Sequence, residues 1–141
     1  MKFNTLLISV IVLGSMNTVF ADEHDPKVIA PLFKNSKITL LEGIKAAEAL
    51  SGPATSAKFE AADGKLSLSV YTVPEGLNVE PENATLTEMS SDALNSPKDL
   101  KAEIFSDKEH LARASVHLTL MQQSKFSLSQ VLQYVVSKHG G

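Results

Sequence analysis

Residues 56–73 read SAKFEAADGKLSLSVYTV, two runs of alternating character joined by Asp63-Gly64. Both central residues of a tight two-residue hairpin loop take positive φ, which an Asp-Gly pair tolerates well. A loop at these two positions sets Ala61 opposite Leu66, Phe59 opposite Leu68 and Ala57 opposite Val70, so the apolar partners share one face. Glu60 with Ser67 and Lys58 with Ser69 fall on the other face. A slip of one residue would turn every apolar side chain to water, so pattern and turn chemistry select a single register. A chain holding this segment needs an antiparallel sheet with one dry face, and a second layer to cover that face.

The covering layer is visible just upstream. Thr39 and Glu42 have the T-x-x-E spacing of a capping box, and Leu40, Leu41, Ile44, Ala47 and Leu50 recur at helical spacing before Gly52-Pro53 ends the run. Gly43 inside this helix is a weak point, about 1 kcal/mol against Ala, unless it marks close packing on the sheet. Downstream, Pro74 to Pro97 is rich in turn residues, with Ala84 to Met89 (ATLTEM) as its strand, and a further alternating run spans Asp99 to Phe105. Ser106 and Glu109 form another capping-box pair, opening a helix to about Gln123 with Leu111, Ala114, Leu118 and Met121 on one face. A last helix carries Leu128, Val131, Leu132 and Val135 at i, i+3, i+4 and i+7, with Phe126 and Val131 spaced as a hydrophobic staple around the Ser127 and Gln130 box. The expected class is α+β: a capped helix packed on a small antiparallel sheet containing the Asp-Gly hairpin, followed by a C-terminal helix pair.

The last helix repeats the first at a constant offset of 88 residues. Ile38 matches Phe126, Thr39 matches Ser127, Leu40 matches Leu128, Glu42 matches Gln130, Ile44 matches Leu132, Ala47 matches Val135 and Gly52 matches Gly140. Over Lys37 to Val73 the sequence resembles a PepSY domain, whose pattern is a capped helix beginning (I/L)-(S/T)-L-x-E-A-(I/A), a small-residue gap, a strand, a D-G turn and a second strand. Ile38, Thr39, Leu40, Glu42 and Asp63-Gly64 fit that pattern, and Gly43 departs from it where the family prefers Ala. FSLSQVLQYVVSKHGG then reads as the start of a second copy. The resemblance divides the chain into a signal peptide at 1–21, a lead-in at 22–37, a PepSY-like unit at 38–90, and a strand plus two helices at 91–141 as an incomplete second unit.

The resemblance implies an exported or cell-surface module of the kind suspected of inhibiting peptidases. Its motif is structural, so it transfers no catalytic residue. With no protease domain following, a propeptide role in cis is not expected.

The first residues agree with export. Met1-Lys2, the apolar run Leu6 to Leu13 and Val19-Phe20-Ala21 have the layout of a signal peptide cut between Ala21 and Asp22. The apolar run is far shorter than the ~20 residues that cross a bilayer, so no membrane span is expected after cleavage. Loss of Lys2 leaves 12 Lys and Arg against 16 Asp and Glu, a mild acidity that argues against nucleic acid or an anionic membrane as partner. The absence of cysteine removes disulfides, thiol catalysis, Cys-ligated zinc and a lipidated bacterial N-terminus together. A periplasmic or secreted protein is the natural reading.

Chemistry is sparse. There is no G-x-S-x-G elbow, no glycine-rich phosphate loop and no conspicuous carboxylate pair, so neither an enzyme nor a cofactor is expected. His110 and His117 stand seven residues apart, about 10.5 Å of helical rise, too far to share a metal and more fitting for a polar stripe with Arg113. His139 suits a helix C-terminus. Cleavage after Ala21 would expose Asp22-Glu23-His24, whose amine, two amides and imidazole can wrap Cu(II) or Ni(II) in tetragonal geometry.

Three functional expectations follow. The first is a noncatalytic protein-interaction module, acting as a peptidase inhibitor or regulator on a periplasmic peptidase or other protein, with strand addition at 99–105 or another sheet edge as its means. The second is a structural protein that self-associates, as a homodimer through the C-terminal helix. The third is metal binding at His24.

Overall fold

A computed structural model of the protein describes residues 26–96, 99–104 and 108–140. Its helices are α1 (Pro26–Lys34), α2 (Leu40–Ser51), α3 (Lys108–Gln123) and α4 (Leu128–His139). Its strands β1 (Ala54–Ala62), β2 (Lys65–Thr72), β3 (Thr87–Asp92) and β4 (Lys101–Ile104) form one antiparallel sheet in the order β1-β2-β3-β4. The architecture is mixed α+β, ending in the expected helix pair.

The hairpin has the register its sequence demands. Ala57 pairs with Val70, Phe59 with Leu68 and Ala61 with Leu66, around a loop in which Asp63 and Gly64 take φ of 51° and 71°. A bulge between Ala54 and Ser56 shifts the ladder by one residue, which lets Ala54 meet Thr72 and stay buried. On β3 the buried residues are Thr87, Met89 and Ser91, with Met89 opposite Val70. The other face of the sheet carries Lys58, Glu60, Ser67, Glu88, Ser90, Lys101 and Glu103 and lies open as a broad polar trough.

The main core lies between the dry face and α2. Ile38, Ile44 and Ala47 meet Ala54, Leu68, Val70 and Met89, with Leu128 and Leu132 of α4 packed against the same cluster. Gly43 belongs to this contact: a Cβ there would collide with the Cδ2 of buried Leu68. Close approach to the sheet therefore explains a glycine in mid-helix. A second cluster joins Ala114 and Leu118 of α3 to Val73 and Leu86. It is held at one end by Gln122, whose Nε2 donates to the Val79 carbonyl at 2.7 Å.

Two segments differ from expectation. β3 runs 87–92, whereas the alternating pattern had suggested 84–89. The Thr85 N–H donates to the Glu75 carboxylate at 3.1 Å instead of to a ladder partner, and Leu86 turns into the α3 cluster. β2 ends at Thr72, since the Val73 N–H goes to the Pro53 carbonyl at 3.0 Å, so pairing begins only at Thr87 opposite Thr72. The lead-in at 22–37, in which the sequence pattern marks no element, contains α1 with Pro31 inside it. Phe33 of that helix meets Phe59 edge-on, ring centroids 5.1 Å apart at 84°.

Candidate protein interface

The helices α2 and α4 are built alike. Each has twelve residues. In α2 the Thr39 hydroxyl accepts from the Glu42 N–H at 3.2 Å, while the Glu42 carboxylate accepts from the Thr39 N–H at 2.9 Å and from its hydroxyl at 2.8 Å. Those bonds, the backbone one foremost, hold the Glu42 carboxyl below its ordinary pKa. In α4 the Ser127 hydroxyl accepts from the Gln130 N–H at 3.2 Å and the Gln130 carbonyl oxygen accepts from the Ser127 N–H at 2.9 Å. Gly52 and Gly140 end the two helices at φ of 89° and 78°, each donating to the carbonyl four residues back.

Their surroundings are opposite. Ile38 and Ala47 are 2% and 0% exposed, whereas their counterparts at the 88-residue offset, Phe126 and Val135, are 63% and 43% exposed. Gly43 is buried on the sheet side of α2, and Val131 at the equivalent place in α4 is 45% exposed. The helix α4 reaches the core by its flank, through Leu128 and Leu132, and leans on α2. There the Ser129 hydroxyl donates to Glu48 Oε2 at 2.7 Å and Lys45 Nζ donates to Gln133 Oε1 at 3.3 Å. The other Glu48 oxygen is buried with no hydrogen-bond partner. Phe126, Gln130, Val131 and Tyr134 consequently line one shallow groove on the outside of the molecule. The staple pair Phe126 and Val131 thus forms part of an outward apolar patch, the kind of surface that marks an interaction site.

The free sheet edge is a weaker candidate. β4 covers Lys101–Ile104 within the expected 99–105 run, Phe105 lying outside the described residues, and pairs with β3 on one side. All four of its residues are exposed. A strand this short with a lysine in it has the features by which proteins discourage edge pairing.

Other expected residues fall elsewhere. Ala21, Asp22, Glu23 and His24 lie outside the described residues, as does Ser106 with the side chain of Glu109. His110 is carried by α3, its side chain also outside the description. His117 is half-buried and stands with Arg113 beside β1, lining a cavity with Lys58 and Tyr71. Lys58 Nζ contacts Glu60 at 2.7 Å and lies 5.7 Å from the Tyr71 ring centre. Burial works against the Lys58 charge, but hydrogen bonds to Glu60 and Tyr71 together outweigh it and raise its pKa. The Tyr71 pKa is raised by burial, with Glu88 and Glu60 adding and Lys58 opposing. His139 is exposed in the last turn of α4, beside Lys138. Among the described residues no group of three His, Asp or Glu could hold a metal, and no helix is long and apolar enough to cross a membrane.

Compared with family models, curated proteins and solved structures, the chain has no match. Its own geometry carries the functional argument. Tyr134, three residues beyond Val131, completes the apolar groove and was not singled out from the sequence, although i, i+3 spacing from Val131 is a sufficient signal. Lys58 reads only as a polar-face residue, and Tyr71 draws no notice, until α3 is placed beside them.

Proposed function

We propose that the protein is a noncatalytic, exported PepSY-like protein-interaction module that acts as a peptidase inhibitor or regulator. The observation that carries this reading is the outward face of α4. It presents Phe126, Val131 and Val135 at the positions of Ile38, Gly43 and Ala47, by which the matching helix α2 meets the sheet, with Tyr134 exposed beside them. A helix face of this composition fits a groove or sheet of a partner protein, with the aromatic pair as anchors. The Thr39-Glu42 box, its Ser127-Gln130 counterpart in α4 and the Asp63-Gly64 turn support the PepSY-like assignment.

The test is to incubate the signal-free protein with a panel of exported metallopeptidases and follow peptide hydrolysis. Inhibition of at least one, relieved tenfold or more by Val131→Asp, is the expected result. Absence of both inhibition and stable association across the panel would refute the peptidase reading.

A second reading, self-association through α4, is favoured by the same exposed face. It predicts a mass by light scattering that rises toward twice the monomer as concentration increases, and that Tyr134→Asp holds at the monomer value. A monomeric wild type at all concentrations would exclude it.

A further inference from the structure

A cavity of about 140 Å³ lies where α3 approaches β1 and β2, on the side of the molecule carrying Lys58 and Tyr71. Ala57 and Ala114 supply apolar wall, and Ser56, Lys58, Tyr71, Arg113 and His117 complete the lining. Arg113 and His117 are one helical turn apart and so share a face of α3. The small side chain of buried Ala114 lets that face come close to the strand. No ion pair joins Arg113 or His117 to another described residue, whereas Lys58 pairs with Glu60. Lys58 has three N–H donors. Glu60 takes one of them and the Tyr71 ring lies beside the ammonium, which leaves a donor for a further acceptor.

The described carboxylates on the neighbouring strands are already placed. Glu60 is engaged by Lys58, and Glu88 stands opposite Tyr71 on β3. Neither lines the cavity. Among the described residues Arg113 thus has no ion-pair partner, and its guanidinium is a planar fork suited to a carboxylate. The fork also fits a phosphate, but the methyl groups of Ala57 and Ala114 favour an anion that carries an apolar body.

We propose that this cavity binds a small carboxylate carried on a short apolar body, its oxygens held by Arg113 and the remaining Lys58 donor and its body against Ala57 and Ala114. The inference does not depend on the reading of α4. The carboxylate can belong to a free short acid or to the C-terminus of a peptide, and one titration separates the two. Labelled protein is titrated with N-acetyl-L-alanine, with N-acetyl-L-alaninamide, with a four-residue peptide ending in a free alanine, and with inorganic phosphate. Backbone resonances of residues 56–58, 71 and 113–117 are followed.

Saturable shifts with N-acetyl-L-alanine, weakened at least tenfold in Arg113→Gln and unchanged in the control Lys125→Gln, are expected. Tighter binding of the peptide than of the free acid would assign the site to a chain terminus, and equal or weaker binding to a free acid. Because Arg113 is exposed, its variant should keep the wild-type spectrum elsewhere, and Lys58→Met provides an independent loss of affinity. No saturable shift, an equal response to the amide, or phosphate binding as tightly as the acid would overturn the proposal.

Discussion

The helices α2 and α4 start with the same box, run for the same length and stop at the same kind of glycine, yet one is a core element and the other is half bare. The difference lies in what each leans on. α2 lies flat on β1 and β2 and drives Ile44 and Ala47 into the dry face, while α4 touches that core only at Leu128 and Leu132 and rests sideways on α2. A capping box and an apolar stripe therefore specify that a helix forms and which residues it offers. They do not specify what accepts the offer. Where the sheet is present the stripe becomes stability; where it is absent the same stripe is left as exposed apolar surface.

Exchanging the two helices' equivalent residues should break the resemblance most sharply. Gly43→Val puts the α4 residue into α2, where its Cβ meets Leu68. Overpacking of this kind costs about 3 kcal/mol, read as a lower midpoint in urea. The reciprocal Val131→Gly should cost only about 1 kcal/mol, from helix propensity. Equal losses at the two positions would mean that the faces are equally packed.

The next effect concerns the seam between the helices. Ser129→Ala removes the hydroxyl that satisfies Glu48 and leaves a carboxylate with one oxygen already unpartnered in the same buried setting. A loss of about 1–3 kcal/mol is expected, with hydrogen exchange of α4 amides accelerated more than those of α2. Uniform acceleration through both helices would instead place them in a single cooperative unit.

The boxes themselves should separate by reach. Thr39→Ala and Ser127→Ala each remove a cap worth about 1 kcal/mol. The first is expected to lower global stability and the second chiefly to fray the start of α4, as amide exchange would reveal. The smallest contrast is in pH. The folded pKa of Glu42 is depressed by the Thr39 bonds, so its contribution is full above the ordinary glutamate value of about 4.3. That contribution is lost as pH falls through the lower folded value. Gln130 cannot titrate. Acidification should thus loosen the first turn of α2 and spare that of α4, and Glu42→Gln should abolish the difference in exchange.

What was legible in the sequence was local. The hairpin register follows from alternation and an Asp-Gly turn, both contained within eighteen residues, and the two capping boxes each need only four. The limits of β3 depend on a bond from the Thr85 N–H to the side chain of Glu75 and on where β2 stops, which no periodicity reports. The helix α1 is masked by Pro31 and by an apolar pattern too short to stand out. The α4 stripe was visible, but its division into a covered pair and an exposed set depends on the angle at which the helix meets α2. Arg113 and His117 were seen as a polar stripe. Their meeting with Lys58 and Tyr71, more than forty residues away in sequence, exists only once α3 has packed beside β1.

The opposed fates of the two helices can be measured directly, because the chain contains no cysteine to interfere. Single variants Ala47→Cys and Val131→Cys, placed at the buried face of α2 and the open face of α4, are reacted with a thiol reagent under native conditions at low protein concentration. The account predicts that the cysteine at 131 is modified within a small factor of the rate in denaturant, while the one at 47 is protected by at least a thousandfold. Equal protection at both positions, with the protein folded and dilute, would contradict it.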